Sequence, residues 1–179
     1  MKYWIILCLI VAFLLGFGIG FITNGFVINN YVEKRYESIK DAFGFTLQAM
    51  YDGDNGDTYS EYARYFYRIN DFNSTIDYCK QAQEFYASSI TNWLTVQKIV
   101  NETPKDEFFL SLYDLAIAGE KLSRLGEMAC IKLSEASESY SYGYYDEGDA
   151  KIEELNNLIN ETRMWVDKYN NAYSKLLAG

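Results

Sequence analysis

The feature that most limits what this chain can become is its uncharged start. No charged residue occurs from Tyr3 to Val32, and Trp4 to Ile22 is a run of 19 apolar or glycine residues. A helix needs about 20 such residues to cross a bilayer. The reading is an N-terminal transmembrane anchor over residues 1–28, followed by a second domain over 29–179. Cleavage as a signal peptide is the alternative, because Gly16-Phe17-Gly18 and Gly18-Ile19-Gly20 offer small-residue sites behind Met1-Lys2. Gly16 and Gly20 form a GxxxG pair on one helix face, where a second transmembrane helix could approach closely.

Topology draws on two opposed signals. Lys34, Arg35 and Lys40 follow the apolar run while only Lys2 precedes it, which by positive charge alone would leave the domain in the cytoplasm. Three N-x-T sequons, at Asn73, Asn101 and Asn160, make sense outside it as N-glycosylation acceptors, although Pro104 makes the second a poorer one. The favoured expectation is a single-pass protein of the cell membrane with an extracytoplasmic domain.

Composition removes whole classes of function. Twenty-five acidic against 16 basic residues give a net charge of -9, the wrong sign for a nucleic-acid binder. Histidine is absent, which excludes Ser-His-Asp and Cys-His catalysis and every His-containing zinc site. No catalytic constellation, metal site or cofactor motif emerges, so a non-catalytic role is expected.

Beyond residue 28 the apolar spacing is helical throughout, and nothing alternates as a strand does. Val32, Tyr36, Ile39, Phe43, Leu47 and Met50 predict a first helix ending near Tyr51. Asp52-Gly53-Asp54-Asn55-Gly56-Asp57 then has turn chemistry. It fails the EF-hand pattern, since a count from Asp52 puts Gly56 at position five and Ala63 at position twelve. Thr58-Tyr59-Ser60-Glu61 reads as a capping box opening a short second helix to about Ile69. A long helix follows from about Asn73 to Asn101, seamed by Ile76, Cys79, Tyr86, Ile90, Trp93 and Val100. Thr103 is expected to cap the next helix, with Pro104 in its first turn.

The clearest seam runs Phe108, Leu112, Leu115, Gly119, Leu122, Gly126, Ala129, Leu133, Ala136 and Tyr140 in alternating steps of four and three. That repeat is a packing seam of coiled-coil type, and its small members invite close approach of a neighbour. Ile152, Leu155, Ile159, Thr162, Val166, Tyr169, Tyr173 and Leu176 repeat the pattern in the last helix. The fold expected is all-α, an elongated antiparallel bundle of four or five helices behind the anchor. A fold-back at Thr103/Pro104 sets Cys79 level with about residue 128, so a disulfide to Cys130 is conceivable in an oxidising compartment, with buried free thiols the alternative.

Seventeen tyrosines are the remaining excess. Tyr59, Tyr62 and Tyr65 crowd one segment and Tyr140, Tyr142, Tyr144 and Tyr145 another, as candidate partner contacts. The second group is expected to return toward the anchor end, near the bilayer interface.

Ala63, Phe66, Asn70-Asp71-Phe72, Ile76, Tyr78 and Ala82 resemble the middle of a tetratricopeptide repeat, over about residues 59–88. Tyr144, Gly148-Asp149-Ala150 and Ile152 echo that turn 78 residues later, a spacing that does not tile the family's period of about 34. The resemblance implies protein binding through a concave helical surface. Together these observations predict an accessory or scaffolding subunit that contacts a membrane-protein or cell-surface partner. A ligand-sensing bundle is the alternative, as is a tetratricopeptide-like cytoplasmic adaptor if the topology is inverted.

Overall fold

The computed structural model describes residues 25–103 and 106–178, with side chains from Val32 onward. These residues form four helices and, among them, no strand: α1 (Gly25–Arg68), α2 (Phe72–Glu102), α3 (Glu107–Ser141) and α4 (Tyr145–Ala178). The chain divides into two compact units, Met1–Glu37 and Ser38–Gly179. Of the first, only the α1 segment from Gly25 is described. The anchor expected over 1–28, with Gly16, Gly20 and Cys8, lies outside the described residues apart from its last four, which open α1. Among the described residues no helix is long and apolar enough to cross a membrane.

The second unit is the expected antiparallel bundle, with four helices in it. Asn70, in the left-handed region at φ 59°, turns the chain between α1 and α2. Asp71 then caps α2, accepting from Ser74 N at 3.1 Å and Ser74 Oγ at 2.7 Å, and these bonds hold its carboxyl below the usual range. Gly143, at φ 80°, makes the α3–α4 turn. The expected Thr103 cap is corrected. Thr103 is the extended residue that closes α2, and α3 is capped by Asp106, which accepts from Phe109 N at 3.0 Å.

The predicted break at 52–57 is absent, because α1 runs straight through it. Tertiary contacts override the turn chemistry here. The carboxylate of Asp52, only 4% exposed, accepts from Gln48 Nε2 at 2.9 Å, Ser88 Oγ at 2.7 Å and Asn92 Nδ2 at 3.0 Å. Gly56 lies under the Tyr86 ring, where a Cβ would come within 2.7 Å of ring carbons. Thr58 caps nothing; its hydroxyl donates to the Asp54 carbonyl one turn back.

The inward face of α1 is also corrected. Its buried residues are Ala42, Thr46, Ala49, Asp52, Ser60 and Ala63, whereas Tyr36, Phe43 and Leu47 of the predicted seam are exposed. Small side chains let α2 come close enough for Ser89 Oγ to donate to the Ala49 carbonyl at 2.8 Å. The seams of α2 and α3 hold. Cys79, Tyr86, Ile90, Trp93 and Val100 are buried against Leu112, Leu115, Gly119, Ala129, Leu133 and Ala136.

Candidate functional site

Two features of the bundle are candidates for function: a cavity between its four helices, and an aromatic surface running along α1 to one end.

The cavity, of about 770 Å³, begins with glycine. Gly119 and Gly126 stand two helical turns apart on α3, and a methyl at either would collide with the Trp93 indole or the Tyr86 ring. Both rings therefore come directly against the α3 backbone, and open space remains toward α4. Asp54 and Asp57 enter from α1, and Ile159, Val166, Tyr169 and Tyr173 line the α4 side. Trp93 meets Tyr169 edge-on at 6.3 Å, and Tyr169 stacks on Tyr173 at 6.4 Å. Val166 and Tyr173 belong to the predicted α4 seam, yet they stay exposed because they face this open space rather than a packed core.

The electrostatics of the cavity centre on Asp57. Tyr86 Oη donates to Asp57 Oδ1 at 2.6 Å. Desolvation raises the Asp57 carboxyl above its ordinary value, and the Tyr86 bond offsets only part of this. The Asp57 side chain stays exposed to solvent through the open side of the cavity. Burial, with Asp57 beside it, drives the Tyr86 phenol far up. Across the space, burial and Asp54 push Tyr169 up to about 12. With the Ser89 proton given to the Ala49 carbonyl, Ser123 Oγ donates to Ser89 Oγ at 2.9 Å and ties α2 to α3 at the cavity floor. No cluster of metal-ligating side chains occurs among the described residues. In the sequence Asp54 and Asp57 read as part of a turn that fails the EF-hand pattern, and nothing there marks Arg64, Arg163 or Asp167.

The tyrosines meet at one end of the bundle. Tyr67 and Phe72, from the α1–α2 turn, contact Tyr140 at 6.1 and 5.7 Å, and Tyr140 Oη donates to Asp149 at 2.6 Å. Tyr59, Tyr62 and Tyr78 pack nearby on α1 and α2. Tyr65, Tyr142, Tyr144 and Tyr145 are exposed. This overturns the expected return of the Tyr140 turn to the entry end, since an unbroken α1 carries both turns to the end opposite Ser38.

Six large apolar residues form an outward stripe on α1. Phe43, Leu47, Tyr51, Tyr62 and Tyr65, with Ile69 just past the helix end, are all exposed and recur after 4, 4, 11, 3 and 4 residues, each close to a whole number of helical turns. The stripe lies opposite the buried face of Ala42, Ala49 and Ala63.

Cys79 and Cys130 come together as buried free thiols. Their shared hydrogen bond, with burial, raises the Cys79 thiol, and the same bond lowers that of Cys130. Asn73, Asn101 and Asn160 are exposed, each within a helix. The tetratricopeptide-like hairpin is present as the α1–α2 turn with Ala63 and Ala82 buried between the arms, but its helices, 44 and 31 residues long, continue into a bundle rather than a repeat. Comparison with protein-family models, curated proteins and solved structures finds no match.

Proposed function

We propose that this chain is a non-catalytic accessory subunit, held at the membrane by its N-terminal apolar segment. Its helical domain stands outside the cytoplasm and binds a helix of a membrane-protein or cell-surface partner. The observation that carries the reading is the outward stripe on α1. Six large apolar side chains on one helix face are the pattern an amphipathic partner helix docks against. The stripe falls into two patches, Phe43 to Tyr51 and Tyr62 to Ile69, with the exposed polar Asp54 and Thr58 between them, and exposed apolar patches mark interaction sites. The exposed tyrosines around the α3–α4 turn extend the contact, since Tyr supplies large contact area at low entropic cost.

Site-specific photocrosslinking in native membranes tests this. A crosslinker replacing Leu47 or Tyr62 is expected to trap one defined partner, and one replacing the exposed Glu84 or Lys98 of α2 is not. Equal or absent adducts at all four positions would remove the proposal.

The cysteines bear on the address. In an oxidising compartment, the Cys79 and Cys130 thiols would exchange with a disulfide oxidoreductase: the enzyme's disulfide is reduced to two thiols, and an inter-helix bond forms. Non-reducing peptide mapping of the native protein is expected to find the 79–130 link, and two free thiols would count against an extracytoplasmic domain.

A further inference from the structure

The cavity is independent of the α1 stripe and asks for a different kind of ligand. Its volume of about 770 Å³ lies within the range of roughly 300–1,000 Å³ typical of small-molecule sites. Its walls combine apolar and aromatic surface with a few charges, the mixture such sites use for affinity and orientation. We infer that the cavity binds a small organic cation with an apolar body, its charge held by Asp54 and Asp57 and its body lying among Tyr86, Trp93, Tyr169 and Tyr173.

Charge selects this class. Asp54, Asp57 and Asp167 face Arg64 and Arg163 in the lining, all five exposed, so the carboxylates outnumber the guanidiniums by one. Among the described residues neither Asp54 nor Asp57 forms an ion pair, and the side chain that donates to Asp57 is the neutral Tyr86 hydroxyl. Arg64 acts on Asp57 electrostatically but forms no ion pair with it, so a bound cation would supply the direct counter-charge that both exposed carboxylates lack. Asp54 acts electrostatically on both Asp57 and Tyr169, so the negative charge sits between α1 and the aromatic wall of α4. Ring faces attract cations in the same place, through the negative face of their quadrupole. A neutral ligand would cover the two carboxylates without compensating them, and an anion would be repelled by them.

The rings are fixed in advance. Gly119 and Gly126 seat Trp93 and Tyr86 against α3, and the Tyr86–Asp57 bond orients the carboxylate at 2.6 Å. Little ordering remains to be done on binding, which favours affinity for a small ligand.

Calorimetric titration of the full chain in a neutral detergent tests the inference with three probes of similar size: benzyltrimethylammonium, benzyl alcohol and phenylacetate. The cation is expected to bind about tenfold more tightly than either of the others, or better. The double variant Asp54→Asn/Asp57→Asn is expected to lose about tenfold in cation affinity, with circular dichroism unchanged. Tyr173→Ala, at a half-open position, is expected to lose a few-fold. Equal binding of the alcohol, tighter binding of phenylacetate, or no binding of the cation would overturn the assignment. So would a folded double variant with undiminished affinity. If that variant does not fold, Tyr173→Ala carries the test, and an unchanged cation affinity there overturns it.

Discussion

Helices α1 and α3 both pack along α2, and they do so by opposite means. On α3, large side chains point inward: Phe109, Leu112, Leu115, Leu125 and Leu133 fill the core, and two glycines seat the rings of α2. On α1, small and polar side chains point inward while Phe43, Leu47, Tyr51, Tyr62, Tyr65 and Ile69 point out. Apolar character alone therefore does not decide which face of a helix is buried. Close approach does, where small residues and satisfied polar groups such as Asp52 allow backbones to meet. What α1 keeps outside is then apolar surface that its own fold covers only in part, through Phe108 at Phe43 and Tyr78 at Tyr62.

The contrast can be broken at several points. Leu115→Ala, in the α3 core, should cost about 2–5 kcal/mol in urea unfolding. Ala49→Leu, which enlarges the inward face of α1, should cost about 1–3 kcal/mol through overpacking against α2, although it adds apolar area. Gly119→Ala should still destabilise, its clash with Trp93 outweighing the gain of about 1 kcal/mol in helix propensity; a more stable variant would mean that the ring is not seated on the glycine.

The cavity supplies a test of opposite sign. The folded-state pKa of Asp57 is raised, so deprotonation costs stability, and the loss develops as pH rises from its ordinary value through the folded one. Asp57→Asn, whose carbonyl still accepts from Tyr86, should raise Tm at pH 7, with the advantage narrowing as pH falls toward 4. A pH-independent difference in Tm would show that desolvation of the carboxylate is not its source. The smallest effect belongs to the outer stripe, where Leu47→Ser should change the stability of the isolated chain by no more than about 0.5 kcal/mol while abolishing partner crosslinking.

Legibility in the sequence followed the same division. The seams of α2 and α3 could be read because large apolar residues recur at helical spacing there and are buried. That same regularity brought Cys79 and Cys130 to one height. The path of α1 was not legible, because Asp52, Gly53, Gly56 and Asp57 have the composition of a turn and find their partners in α2 residues some 30–40 positions away. The candidate cavity was hidden for a related reason. Asp54 and Asp57 read as turn residues, and Gly119 and Gly126 as ordinary seam positions, although the glycines seat the rings of Trp93 and Tyr86. The tyrosine groups were visible as a compositional excess, but which end of the bundle they shared depended on whether α1 was broken.

The two faces of α1 are the central claim, and thiol labelling tests them most directly. Leu47→Cys and Ala49→Cys, two residues apart on one helix, would each be labelled with a maleimide in the native full-length chain against the wild-type background. The account predicts rapid labelling at 47, where the wild-type side chain is 65% exposed, and strong protection at 49, where exposure is 0%. Protection at 47 with labelling at 49 would reverse α1 in the bundle and contradict both the packing and the function drawn from it.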